Sequence, residues 1–382
     1  MRKVLVDQLR TGDRLGRDVY SAPDVPPLLR AGVRVSESYR YSLERAGVAA
    51  VWIDDGLSEG IEPLEILDVD TKRRATTAIR DAFRDVTRTL PSGGKLSGEA
   101  IGDMADVADL IVRDVTRNVH SALALNDLAN ADGYTLKHSL AVTTIGLALG
   151  LRVMRKYGWV DVDGRRRFDC GHGRMSALGV GLLLHDIGKL AIPPEILKKT
   201  GALTDAEWKV MREHPTLGVH ILKRDGISAL SRAVVRSHHE RWNGSGYPDA
   251  RGGEDIHQFA RIAAVADVFD ALTSDRYYRK AMPLPEACDF IERRSGTDFD
   301  PEVVDVFKSF VAPYPPGTRV VLSDGYCGLV KEVRADAVRQ PIVRIIMDPS
   351  GAMIPPREID MAKVPGLTVV STQFDVPATA SA

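Results

Sequence analysis

The sequence predicts a mainly α-helical protein: an all-helical central domain flanked by a small N-terminal α/β unit and a small C-terminal β-rich unit. Three observations carry this. From about residue 98 to 312 nearly every segment reads as helix. After "PYPPG", which begins at Pro313, the chain turns to β-rich runs joined by Asp-Gly and Pro-Ser-Gly turns. Before residue 60 or so, strand-like and helix-like stretches alternate.

Residues 1–60 form the α/β unit. "LLRAGVRV" reads as a strand and turn, "SESYRYSLERAG" as a helix with Ser36 as N-cap and Gly47 just past its end, and "VAAVWID" as a strand. Residues 61–119 form a helical connector, charge-rich over "EILDVDTKRRATTAIRDAFRDVTRTL" and interrupted by "PSGGKLSG". Residues 120–312 form the central helical domain. In it, "TDAE" at Thr204 to Glu207 is a capping box, and "DPEVVDVFKSF" has Asp300 as N-cap with Pro301 at the first helical position. Residues 313–382 form a small sheet or barrel with a disordered tail, "TQFDVPATASA".

A chain of 382 residues is long enough for several domains, and 44% hydrophobic with 27% charged residues is ordinary for a globular protein. The net charge of -1 gives no reason to expect a nucleic-acid polymer or an anionic membrane as partner. Cys170, Cys288 and Cys327 are too few and scattered for a disulfide framework. "MRKVLVDQLRTGDRLG" lacks the apolar region of a signal peptide, and the longest apolar run, "ALGVGLLL", is too short to span a bilayer. A cytoplasmic protein is expected.

The chemistry lies in the histidines. In "GYTLKHSLAVTTIGLALGL", His138 shares a face with Val142, Ile145 and Leu149. In "MSALGVGLLLHDIGKL", His185 follows Leu178 and Leu182 at helical spacing, with Asp186 beside it and Lys189 four residues on. "MREHPTLG" puts His214 where one helix gives way to another. "ALSRAVVRSHHE" sets His238 and His239 four residues after Val234 and Val235. "ARIAAVADVFDALTS" carries Asp267 in an apolar helix. One histidine on an apolar face is ordinarily a hydrogen-bonded core residue. Five with two carboxylates are not, because buried carboxylates need a partner or a metal. A metal centre shared among helices meets that need.

As neighbours on a helix, His185 and Asp186 point about 100° apart and cannot both chelate one ion face-on. They then serve two ions, with the carboxylate bridging. Lys189 lies on the face they share and meets an anionic group held there. A mixed imidazole and carboxylate set suits iron or manganese.

The series "YTLKHS", "LLLHDIGKLAIPPEILKKTGALT", "HPTLGVHIL", "HHERWNGSGYP" and "ARIAAVADVFDALTSDRYYRKA" resembles the HD-GYP family, a branch of the HD-domain metal phosphohydrolases, over roughly residues 120 to 312. The resemblance implies an all-helical fold and a centre of divalent transition-metal ions. It also implies hydrolysis of the bacterial messenger cyclic di-GMP to linear pGpG, to GMP, or to both. The metal ligands it implies are His138, His185, Asp186, His214, His238, His239 and Asp267. Asp186 and Lys189 carry the catalysis, with a hydroxide shared by two cations as nucleophile and Lys189 against the phosphate. Tyr247, Arg276 and Arg279 surround the substrate.

Three departures matter. Family members with a third metal carry a glutamate where this chain has Tyr134, so two ions are expected. The aspartate usual before the glycine of the "GYP" loop is Asn243, which alters the loop's hydrogen bonding. An insertion, "GWVDVDGRRRFDCGHGRM", holds Cys170 and His172 and reads as a solvated loop. The alternatives are an HD-type phosphohydrolase for another (cyclic di)nucleotide and a non-catalytic module that binds cyclic di-GMP. The N-terminal unit suits an input signal or dimerisation, so the expected partners are a second copy or a regulatory protein.

Overall fold

A computed structural model describes the chain outside residues 22–24, 49, 64, 119–133, 161–162, 224–225, 275–280 and 373–382. Arg276, Arg279 and nearly all of the expected disordered tail lie outside the described residues.

In chain order the elements begin with β1 (Arg2–Leu5), α1 (Glu37–Arg45), β2 (Ala50–Ile53), α2 (Val69–Thr89), α3 (Gly98–Arg117) and α4 (Tyr134–Lys156). A short hairpin follows, β3 (Trp159–Val160) and β4 (Arg166–Arg167). Then come α5 (His172–Leu183), α6 (Pro194–Leu197), α7 (Asp205–Met211), α8 (His214–Ile221), α9 (Ala229–Ser237), α10 (Gln258–Thr273), α11 (Leu284–Arg293) and α12 (Pro301–Phe310). The chain closes with β5 (Arg319–Leu322), β6 (Cys327–Glu332), β7 (Ile342–Met347), β8 (Met353–Asp360) and β9 (Val369–Ser371).

Met1–Glu65 and the described residues from Ser309 onward pack as one compact unit. Within it, β1 and β2 pair antiparallel, Arg2 opposite Ile53. Ser36 caps α1 by accepting from the amide of Tyr39, and Leu43 on that helix joins Val4, Leu15, Val35 and Ile53 in a core. "LLRAGVRV" is not a strand. The chain turns at Gly32 (φ +82°), leaving only isolated bridges, Val19 with Leu29 and Arg14 with Arg34. The terminal strands form one antiparallel sheet in the order β8-β7-β6-β5-β9. Val320, Leu322, Val330, Val343 and Ile345 build its core. Leu329, Ile346 and Met347 pack with Leu57 and Ile61 from the N-terminal segment.

The described residues from Ile66 to Lys308 form the second unit, which is helical apart from the hairpin. The expected solvated loop therefore holds a two-stranded element: β3 and β4 pair Trp159 with Arg167. The capping box at Thr204 and Glu207 forms, and Asp300 accepts from the amide of Glu302. α2 belongs to this unit, with Ala75, Ile79, Ala82, Phe83 and Val86 buried. α10 is buried on nearly every side, from Phe259 to Leu272, as befits a helix that is apolar all round. It carries two carboxylates, Asp267 and Asp270, into that interior.

Candidate metal centre

Five segments of the helical unit bring imidazoles and carboxylates to one place. His138 stands in the first turns of α4, and Asp267 in the middle of α10. The others sit at helix ends. α5 stops at Leu183, so His185 and Asp186 lie in a turn that continues as a short 3-10 helix, Ile187–Ala191. This corrects the helical spacing expected for the pair: freed from the 100° offset, both side chains aim the same way, His185 Nε2 lying 3.5 Å from Asp186 Oδ2. His214 is the first residue of α8, His238 is the C-cap of α9, and His239 follows it.

Helix ends explain the orientation of three of these rings. The last carbonyls of a helix have no intrahelical partner and accept from side chains. His185 Nδ1 donates to Leu182 O at 2.7 Å, His214 Nδ1 to Met211 O at 2.8 Å, and His238 Nδ1 to Val235 O at 3.1 Å. A carbonyl only accepts, so each Nδ1 carries the proton and each Nε2 presents its lone pair. His138 lies within α4, and its Nδ1 is held instead by Asp270 Oδ2 at 2.7 Å.

The Nε2 atoms face one another. His138 and His185 approach to 3.2 Å, and His214 and His238 to 3.4 Å. Asp186 lies between the two pairs: Oδ2 is 3.6 Å from His138 Nε2, and Oδ1 is 3.4 Å from His214 Nε2. Asp267 Oδ1 lies 3.2 Å from His138 Nε2, and its Oδ2 3.8 Å from His239 Nδ1. Possible ligand atoms therefore fall into two groups that share Asp186: His138, His185 and Asp186, and Asp186, His214, His238 and His239. All seven residues singled out in the sequence as ligands meet here. All but His239, which is half-buried, are buried.

Electrostatics follow from that burial. Desolvation pushes the His238 imidazole down to about 3 and lowers those of His185, His214 and His239. His138 is the exception: burial works against its charge, but Asp267 and Asp270 raise it to about 9. Burial also works against ionised Asp186, yet Lys189 and the surrounding imidazoles hold its carboxyl well below the usual range. Lys189 Nζ reaches Asp186 Oδ2 at 2.6 Å, while Asp186 Oδ1 has no hydrogen-bond partner. Facing lone pairs beside a buried carboxylate oxygen with nothing to accept are what a divalent cation satisfies. The donor set fits one.

Tyr247, of the "GYP" signature, stacks on His239 with ring centroids 4.7 Å apart and planes at 24°. Asn243 does the capping that an aspartate would do, its Oδ1 accepting from the amide of Ser245 at 3.0 Å. His172 Nε2 lies 3.1 Å from Asp109 and is largely exposed. Two residues escaped the sequence reading. Asp270 lies within the same apolar stretch as Asp267, one turn on, and a buried carboxylate there needs a partner just as Asp267 does. Glu240 is fully buried beside the paired histidines and accepts from the amides of Asp249 at 2.7 Å and Arg251 at 3.1 Å, fastening the loop. Its neighbours in sequence give no hint of that.

The described residues hold no helix long and apolar enough to cross a membrane. Residues 172–303 match a family model described as an HD domain. The chain is 35% identical over 294 residues to the cyclic di-GMP phosphodiesterase PA4108 of Pseudomonas aeruginosa, covering 76% of this chain and 65% of that protein. It is 47% identical over 126 residues to a cyclic di-GMP phosphodiesterase of Thermotoga maritima, covering 32% of this chain and 34% of that one. It is 40% identical over 125 residues to the 3'3'-cGAMP-specific phosphodiesterase 2 of Vibrio cholerae, 32% of this chain and 24% of the relative. The chain thus spans 65% of the first relative's length and about a third or less of the other two. The HD match lies across the segments that carry His185, Asp186, His214, His238, His239 and Asp267, so the chain holds an HD domain and is similar to cyclic di-GMP phosphodiesterases.

Proposed function

We propose that this protein is a metal-dependent phosphodiesterase that hydrolyses cyclic di-GMP to pGpG, to GMP, or to both, in bacterial second-messenger signalling in the cytoplasm. One observation carries the reading. The Nε2 lone pairs of His185, His214 and His238, the Nε2 of His138 and the unpartnered Oδ1 of Asp186 converge in a buried pocket where each of these four rings has its Nδ1 committed to an outer hydrogen bond.

Two divalent ions fit the two ligand groups, with iron or manganese suited to the mixed donors. His138, His185, Asp186 and Asp267 would hold one, and Asp186, His214, His238 and His239 the other. Bound there, the ions supply a Lewis acid for the phosphate and lower the pKa of water at the site.

The protein's own groups do the rest. Asp186 offers one oxygen to each group of imidazoles and so sets their separation. Lys189 is about a third exposed and already 2.6 Å from that carboxylate, so its ammonium faces charge developing on a phosphate held beside Asp186. Tyr247 fixes His239 by stacking and presents the lip over which a nucleotide enters. The resemblance assigns Arg276 and Arg279 to the nucleotide and its phosphates.

Metal-loaded protein assayed side by side on cyclic di-GMP, 3'3'-cGAMP and a linear dinucleotide tests this. Faster turnover of cyclic di-GMP is expected. A preference for 3'3'-cGAMP, the substrate in the Vibrio cholerae relative's name, would move the assignment to that dinucleotide, and turnover of neither would end it.

A further inference from the structure

We infer that Asp270 is a positioning residue that makes the two ligand groups unequal, so that the cation beside His138 is held more tightly than the one beside His214. The inference rests on the metal-centre reading above and goes beyond it.

The asymmetry begins with secondary structure. His185, His214 and His238 stand where helices end, and backbone carbonyls of the last turn hold their Nδ1 atoms. His138 stands inside α4, where the backbone carbonyls nearby are engaged in the helix, so its outer partner has to be a side chain. Asp270 provides it at 2.7 Å, and is itself fixed by Ser274, whose hydroxyl donates to Asp270 Oδ1 at 3.1 Å. Asp270 is buried and packed on the same helix as Asp267.

A carboxylate behind a ligating imidazole raises its basicity more than a neutral carbonyl does, and loss of such a partner costs about 10–100-fold in metal affinity. The charge around the two groups points the same way. Beside His138 lie Asp267 Oδ1 at 3.2 Å and Asp186 Oδ2 at 3.6 Å, with Asp270 behind. Beside the second group lie Asp186 Oδ1, 3.4 and 3.8 Å from His214 and His238, and Asp267 Oδ2, 3.8 Å from His239, while backbone carbonyls and no carboxylate stand behind His214 and His238. A divalent ion meets more negative charge in the first group.

The experiment titrates metal-free full-length protein with Mn2+ at buffered free concentrations, counts bound ions, and records far-UV circular dichroism on each sample. The parent should take up two ions in two steps. Asp270→Asn keeps the shape and removes the charge. It should move the first step about 10–100-fold to higher free Mn2+ and leave the second in place. His214→Ala should lose the second step and keep the first. Ser274→Ala should move the first step in the same direction by less, and decides the matter if Asp270→Asn does not fold. Uptake by the parent in a single step of two ions would overturn the inference. So would an Asp270→Asn curve that overlays the parent's, or one in which only the second step moves. No uptake by the parent would sink the metal centre itself, and this inference with it.

Discussion

The backbones of Gly188 and His214 are in direct contact: a Cβ added at position 188 would lie 1.9 Å from the carbonyl oxygen of His214 and 2.5 Å from the amide nitrogen of Gly218. No side chain fits there. This approach sets the turn bearing Asp186 against the start of α8 and so brings Asp186 Oδ1 to His214. Gly188→Ala must push the two segments apart, and overpacking of this kind costs about 1–3 kcal/mol or more. The variant should unfold at lower temperature and bind less metal. An unchanged melting curve with full metal content would contradict the contact.

Replacing His185 and Asp186 with alanine removes the member common to both ligand groups and one imidazole. Turnover of cyclic di-GMP should be lost while far-UV circular dichroism keeps its helical shape. Undiminished hydrolysis would end the metal reading.

The metal-free protein should be most stable near pH 6.5. The imidazoles of His185, His214, His238 and His239 sit below their ordinary 6.5, His238 at about 3, so below pH 6.5 the unfolded chain binds more protons. Stability present above pH 6.5 is lost as pH falls toward 3. His138 runs the other way: raised to about 9, its charged form contributes fully below pH 6.5, and that contribution is lost as pH rises through 9. Thermal unfolding in chelator across pH 4–10 checks both limbs. A curve that rises steadily to pH 10 would contradict the His138–Asp270 pairing.

Metal uptake should release a proton. His138, raised to about 9, is protonated at neutral pH in the metal-free protein and has to shed that proton to ligate. Calorimetry at pH 7.5 in buffers of different ionisation enthalpy should report about one proton from this residue. Zero release would mean that the Nε2 of His138 is already free.

Glu240 pins the loop that carries Tyr247. Its carboxylate accepts two backbone amides, and Gly246 lies so close that a Cβ there would be 2.4 Å from Glu240 Cα. Glu240→Ala leaves both amides unpaired, at about 1–3 kcal/mol each where buried. The variant should keep its metal and show a raised KM for cyclic di-GMP. An unchanged KM would mean that the loop's other bonds, such as Trp242 N to Asp298 O, hold it unaided.

Much of the site was legible because its residues break the rule for their neighbourhoods. His138, His185, His238 and Asp267 interrupt apolar periodicity, and an imidazole or carboxylate in such a place needs a reason. Asp270 is legible on the same ground, one turn beyond Asp267. Glu240 was not: it is a glutamate in a polar run, and its burial comes from a loop that returns nine residues later. At His185 sequence and structure part: "LLLHDIGKL" continues the apolar spacing of α5, but the helix stops at Leu183. The close approach of α8 at Gly188 favours a tight turn in place of the helix.

By itself the sequence determined the helical class of the middle, the β-rich end, the caps at Ser36, Thr204 and Asp300, and the set of imidazole and carboxylate side chains that face the interior, because these follow from local periodicity and from the cost of burying charge. Tertiary structure alone decided which atoms face each other. The tautomers fixed by Leu182, Met211 and Val235, the carboxylate behind His138, and the core shared by Leu57 with Leu329 all join positions far apart in the chain or set by where a helix stops. No local pattern encodes such meetings, since they arise only once helices pack and their unpaired carbonyls find donors.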